Sequence, residues 1–358
     1  YGVSLPYGGE LFQLSAGPQP ASAVLSLQLV FMRNQFVSCC LLLALAGGAL
    51  PSARAQQKTQ PLRPERPNYR KGGENWEQRT PPDSSRIRYS IFLIGDVGKP
   101  EHEEKGGEPS LNFLRKQILA AGAKSTTVYL GDNIYEYGMP EQGAPDRQES
   151  ERRIVDQLKV LRNYAGEKYM IPGNHDWKQG LRGAVEQVNR QQRFVEDYMM
   201  KDSAAFAYTG DFFIPRDACP GPFEVRLQDD VVLIAVNSQW FLQTSGERPY
   251  GANSGCGVAN ETDFFVQLED IIQRNKDKNI MVVGHHPLFS DGIHGGYFTL
   301  GDHIFPLSIV FKYAFVPLPV IGSIYPFARK YGGVSQDIPQ TSYAALPRAI
   351  EDDRDALA

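Results

Sequence analysis

From Arg86 onward, short apolar runs alternate with longer amphipathic stretches. "RYSIFLIGDVG" (88–98), "TTVYLGDN" (126–133) and "KYMIPGNHDW" (168–177) read as strands, each reaching a glycine followed by an acid or an amide. "FEVRLQDDVVLIAVNSQ" (223–239) holds further strands, and "NIMVVGHHP" (279–287) is one more. Helical patterning covers "LNFLRKQILAAGA" (111–123), "ESERRIVDQLKVLRNYAG" (149–166), "GAVEQVNRQQRFVEDYMM" (183–200) and "DFFVQLEDIIQRNKD" (263–277). Strands alternating with helices predict an α/β domain with helices covering central sheets. Polar residues then fall at the carboxyl ends of strands: Asp96, Asp132, Asn174 with His175, and His285 with His286. Open α/β sheets place their ligands there.

The residues before Arg86 have another texture. No methionine precedes Met32, which opens "MRNQFVSCCLLLALAGGALPSARAQ". One arginine, an apolar run from Phe36 to Leu50 and Ala53-Arg54-Ala55 match a signal peptide cleaved near Gln56. The run is too short, and too broken by Gly47, Gly48 and Pro51, to span a membrane. The expected organisation is therefore an upstream segment (1–31), a signal peptide (32–55), a linker rich in Gln, Pro, Arg and Glu (56–86) and the α/β domain (87–358). The expected location is outside the cytoplasm: periplasmic, secreted or at the cell surface.

Composition adds bounds rather than function. With 358 residues, 42% hydrophobic and 22% charged, the chain has ample material for a core. A net charge of −4 offers no electrostatic case for nucleic acid. After cleavage only Cys219 and Cys256 remain, each in a turn-rich stretch. An oxidising compartment would permit a bond between them; two unrelated thiols are the other reading.

Two aspartates, a tyrosine, an asparagine and a histidine at strand ends suit a pair of metal ions. A carboxylate has two oxygens and can bridge two cations, and such a pair clamps a phosphoryl group. Hard oxygen ligands suit Mn or Fe(III), and imidazole suits Zn, Fe(II) or Mn. Taken singly, each residue has an ordinary reading as a turn, cap or half-buried aromatic residue.

The motifs "GDVG" (95–98), "GDNIY" (131–135), "GNHD" (173–176) and "GHHPLFSDGIH" (284–294) resemble, in this order, those of the calcineurin-like metallophosphoesterases, and among them the purple (tartrate-resistant) acid phosphatases. The resemblance implies a two-layer β-sandwich flanked by helices (αββα). It also implies a dinuclear phosphatase that hydrolyses phosphate monoesters through a hydroxide generated by its metals. Most of the superfamily has Asp-x-His in the first motif; here Gly98 takes the histidine position, and Tyr135 resembles the tyrosinate that replaces it in the purple branch. Asp96 and Tyr135 would then bind Fe(III), Asp132 would bridge, and Asn174 and His285 would bind a divalent Fe, Zn or Mn. His175 and His294 would contact the phosphate or leaving group, and Asp176 would orient the His175 ring. His286 is a ligand only in a shifted register, and His102 and His303 read as surface residues.

Two features depart from that family. The Gly-His-x-His motif that supplies one more histidine to each metal is missing after His294, which implies a truncated chain that continues past Ala358. Residues 303–333 are strongly apolar, but Lys312 and four prolines exclude a membrane helix. That segment would pack on the domain, cover the cleft or associate with a lipid surface. Alternative functions are a phosphodiesterase or nucleotidase on the same fold, or a non-catalytic surface or binding protein.

Overall fold

A computed structural model describes residues 84–243, 248–251, 254–288, 298–309, 315–318, 320–324, 326–327, 342–347 and 349–350. Its first sheet holds three parallel strands, β1 (Ser90–Ile94), β2 (Ser125–Tyr129) and β3 (Glu167–Met170), in that order. The second holds β4 (Phe223–Gln228) antiparallel to β5 (Val231–Ala235), which pairs in parallel with β6 (Asn279–Val283). Helix α1 (Pro109–Ala121) connects β1 to β2, and α2 (Arg147–Val160) connects β2 to β3. Helix α3 (Ala184–Lys201) follows β3, and α4 (Glu261–Arg274) precedes β6.

Alternation along the strands explains the layering. Val128, Tyr169, Leu233, Ala235 and Val283 form one buried cluster between the sheets. Their neighbours Tyr129, Met170, Val232 and Ile234 face the other way, into a cluster completed by helix residues such as Ile118, Ile154, Val195 and Leu268. Successive side chains of a strand point to opposite faces. Strands apolar on both faces therefore belong between two layers, and the αββα sandwich expected from the sequence is the fold observed. The helix ends follow local chemistry. Pro109 opens α1, Gly122 closes it at φ +66°, and the Asn260 side chain accepts from the Asp263 amide to cap α4.

Cys219 and Cys256 are bonded, with Cα atoms 5.3 Å apart. The bond joins the segment before β4 to the loop before α4 across a separation of 37 residues. Opening it with reductant, or by Cys219→Ser, is expected to cost about 3–4 kcal/mol of stability, the chain entropy of a loop this long. Thermal unfolding with and without reductant measures the cost. Two thiols that react with a label in denatured, unreduced protein would show the bond absent.

Among the described residues, no helix is long and apolar enough to cross a membrane. Within the apolar segment, Phe315, Val320, Ile321, Ile324 and Phe327 are exposed, Val320 by 84%. His303 is half-buried rather than on the surface, and its Nδ1 lies 3.1 Å from the Ser323 hydroxyl.

Candidate metal centre

The tips of β1 and β2 reverse sharply at their acids. Asp96 has φ +60° and Asp132 φ +53°, left-handed conformations that cost a residue with a Cβ. Aspartate tolerates that conformation better than most types, and strain of this kind is concentrated at functional sites. Asp96 is exposed, whereas Asp132 is 3% exposed and accepts a hydrogen bond from the His175 amide at 2.9 Å.

Glycines allow the tips to converge. A Cβ on Gly131 would lie 2.6 Å from the Gly173 nitrogen, and one on Gly173 would lie 2.3 Å from Asp132 Oδ1. Either would also come within 2.9 Å of His285 Nδ1. The two glycines leave room for a histidine from the second sheet to enter between the tips of the first.

His285 Nδ1 is 2.9 Å from the Leu130 carbonyl oxygen. A carbonyl only accepts, so the ring proton sits on Nδ1 and the Nε2 lone pair points inward. There it meets Asn174 Oδ1 at 2.9 Å and Asp132 Oδ1 at 3.4 Å. Three acceptors facing one another repel unless a cation lies among them. Ligand atoms of Asp96, Asp132 and His285 all fall within 4.8 Å of one another. The donor set, two carboxylates with an amide oxygen and an imidazole, therefore fits metal binding.

Tyr135 completes the opposite side. Its hydroxyl donates to Asp96 Oδ1 at 3.1 Å. Burial, followed by the charges of Asp132 and Asp96, pushes the phenol above its usual range. Only a highly charged cation would draw its proton off beside those carboxylates. Gly98 explains how the tyrosine arrives. A Cβ there would lie 2.5 Å from the Asp132 carbonyl oxygen and 2.6 Å from the Ile134 nitrogen. The bare backbone instead packs against the 132–134 turn, and the Gly98 carbonyl accepts from the Tyr135 amide at 3.1 Å.

His175 lies against this group, its ring 4.4 Å from that of Tyr135 at an edge-on angle of 69°. Its Nε2 is 3.8 Å from Asp132 Oδ2. The expected contact between Asp176 and the His175 ring is not made, and that role is corrected. His175 Nδ1 lies 2.7 Å from the Glu136 carbonyl oxygen, which it would meet as donor. Asp176 is fully buried and accepts from the amides of Asn133, Ile134 and Gly173 and from the Asn133 side chain. It thus ties the Asp132 loop to the Asn174 loop. Burial, and then the charge of Asp132, push its carboxyl up to about 6, opposed by the Gly173 and Asn133 amides.

His286 turns away from the centre. The Ser238 hydroxyl is 2.8 Å from its Nδ1, and its carbonyl accepts from the buried Tyr343 hydroxyl at 2.8 Å. His102 lies near Glu104 and Glu149. His294 lies outside the described residues.

A family model for calcineurin-like phosphoesterase matches residues 89–311, more than half of the chain. The chain belongs to the calcineurin-like phosphoesterase family. No curated protein and no solved structure matches it. Membership makes it a metal-dependent phosphoric ester hydrolase of a dinuclear-metal family, and the matched span covers Asp96, Asp132, Tyr135, Asn174 and His285. The phosphoesterase also uses groups that its motifs do not announce. The Leu130 carbonyl sets the His285 tautomer, and no side-chain type reports a backbone acceptor. Gln157 donates to the Asn133 carbonyl at 2.7 Å and Arg153 to the Tyr135 carbonyl at 2.5 Å. The signal available for these two was their spacing of four on α2, which puts them on one helix face.

Proposed function

We propose that this protein is an exported phosphatase of the purple acid type, acting on phosphate monoesters. The observation that carries this reading is the Tyr135 hydroxyl set against Asp96 where Gly98 replaces the superfamily histidine. Asp96 and Tyr135 would hold Fe(III), Asp132 would bridge, and Asn174 Oδ1 and His285 Nε2 would hold a divalent Fe, Zn or Mn. Two such ions, when bound, supply Lewis acidity and a nucleophile at mild pH.

The chain's own residues do the rest. With Nδ1 turned to the Glu136 carbonyl, His175 presents Nε2 on the Asp132 side, where a protonated ring donates to a departing alcohol. His294 is the second proposed donor. Asp176 keeps the loops bearing Asp132 and Asn174 in register. The Cys219–Cys256 bond supports export, because such bonds persist in oxidising compartments.

Tyr135→Phe tests the reading. The oxidised iron form of the full-length protein is expected to be coloured by charge transfer from the tyrosinate, and the variant to lose that band while keeping its fold. A variant with unchanged visible absorption would remove the purple-phosphatase assignment and leave the family membership standing. Turnover of an aryl phosphate monoester in preference to a bis-aryl diester supports the monoesterase. The reverse preference indicates a phosphodiesterase or nucleotidase, and neither turnover nor bound metal indicates a binding protein.

A further inference from the structure

Helix α2 carries an ionic cluster that reaches both loops supplying the proposed tyrosinate site. Arg152 Nη2 donates to the Pro100 carbonyl at 3.2 Å, gripping the loop that leaves Asp96. Arg153 Nη1 donates to the Tyr135 carbonyl at 2.5 Å, gripping the residue whose phenol faces Asp96. One carboxylate joins the two guanidinium groups. Glu149 accepts from Arg152 through both oxygens, at 2.9 and 2.8 Å, and from Arg153 Nε at 3.0 Å.

The remaining partners show that the cluster is built into the fold. Arg152 Nη1 also donates to Asp156 at 2.5 Å, which spreads its fork over two acids. Gln157, fully buried one turn further along α2, donates to the Asn133 carbonyl at 2.7 Å. On the far side of the same loop, Gln187 of α3 donates to the Tyr137 carbonyl at 2.5 Å, and Arg190 to the Met139 carbonyl at 3.1 Å. The carbonyls of Asn133, Tyr135, Tyr137 and Met139 are thus held by helix side chains where no sheet ladder reaches them.

We propose that Glu149, through Arg152 and Arg153, is a positioning residue that sets the separation of Asp96 and Tyr135. It would thereby set the affinity of the metal position those two residues form. This rests on the metal reading above. Bidentate and charge-assisted bonds have narrow geometry, so a carboxylate shared by two guanidinium groups defines a distance better than a single surface pair does. Arg152 first, and Arg153 with it, hold the Glu149 carboxyl down at about 2, so the tie stays charged at the acid pH where such an enzyme works.

Glu149→Gln in full-length protein tests this. It keeps the shape of the side chain and removes the charge that joins the arginines. The iron-loaded variant is expected to lose Fe(III) to a chelator at a concentration about ten-fold or more below that needed by the unaltered protein. Metal at the Asn174 and His285 position, measured by elemental analysis, is expected to be retained, and the visible band of any remaining Fe(III) to shift. Should Glu149→Gln fold poorly, Arg153→Met is the second variant and Arg153→Lys the conservative one. Lysine keeps a donor for the Tyr135 carbonyl but cannot also hold Glu149 through a fork, so it is expected to recover only part of the affinity. Unaltered protein with a normal band and variants with the same chelator resistance and the same band would overturn the positioning role. Unaltered protein that holds no Fe(III) at all would overturn the underlying metal reading instead, so the two failures are distinct. Equal loss of metal at both positions, in step with a lower melting temperature, would reduce the cluster to general stabilisation and also count against it.

Discussion

Asp132→Asn is expected to lower phosphoester hydrolysis by a factor of about a thousand or more. A bridging carboxylate serves two cations. Losing its charge forfeits several kcal/mol of charge stabilisation, at about 1.4 kcal/mol for each factor of ten in rate. Asparagine suits the experiment because it tolerates the left-handed backbone at φ +53° and keeps an oxygen for the His175 amide. Metal analysis should show both positions depleted. The metal-free fold should not suffer. Asp132 presses on a buried carboxylate, since its charge helps to raise the Asp176 carboxyl. Neutralising it relieves repulsion inside a buried loop. The metal-free variant is therefore expected to melt no lower than metal-free unaltered protein, while losing the rise in melting temperature that metal confers. A variant that melts well below the metal-free parent would mean that Asp132 is a structural residue first.

The second large effect is expected at Gly98. Gly98→Ala places a methyl group 2.5 Å from the Asp132 carbonyl oxygen, 2.6 Å from the Ile134 nitrogen and 2.7 Å from the Asn133 carbonyl carbon. All three atoms are backbone, in a turn held by Asp176 and Gln157, so none yields cheaply. The expected cost is about 3 kcal/mol or more. Whatever folds should have Tyr135 displaced from Asp96, because the bond from the Tyr135 amide to the Gly98 carbonyl is lost with the turn. Gly98→His is expected to fail for the same reason, and so not to restore the histidine found at this position in most of the superfamily. Gly95→Ala is the control. Its new methyl group would meet the Leu130 Cβ at 3.3 Å and the Leu130 backbone only at 3.9 Å, so its neighbour need give by no more than a few tenths of an ångström. Denaturant unfolding of the three variants, with visible spectra of their iron-loaded forms, checks the set. Gly98→Ala protein as stable as Gly95→Ala would show that the turn is softer than its hydrogen bonds imply.

Several elements were legible before any coordinates. The apolar runs ending at Gly95, Gly131 and Gly173 are strands of the first sheet and that ending at Gly284 a strand of the second. The intervening amphipathic stretches are helices, with boundaries moved by a few residues. The stretch read as 149–166 is helical only over Arg147–Val160, because residues 161–163 form a turn. The acceptors at the strand tips were legible because ligand chemistry restricts residue type. Only a few side chains bind hard cations, and four motifs in one order leave little room for coincidence. Cys219 and Cys256 were identified as a possible pair by their turn-rich settings, with separate thiols left open.

What the chain determined by itself is the type of its candidate ligands and the alternation of its strands and helices, since both are written in side-chain type and in periods of two and 3.6. Tertiary structure decided which acceptor faces which donor. Asp176 lies next to His175 in sequence, yet its carboxylate points to the Asn133 and Gly173 amides, and the His175 ring is held by Glu136 instead. Glu149, Arg152 and Arg153 belong to no motif, and their roles follow only from α2 packing against the two loops. The physical reason is range. Residue type and periodicity act over a few neighbours, whereas the length of a hydrogen bond depends on how elements 40 or 100 residues apart come to rest against one another. A separation of 111 positions between Asn174 and His285 carries no trace of the 2.9 Å that finally separates their ligand atoms.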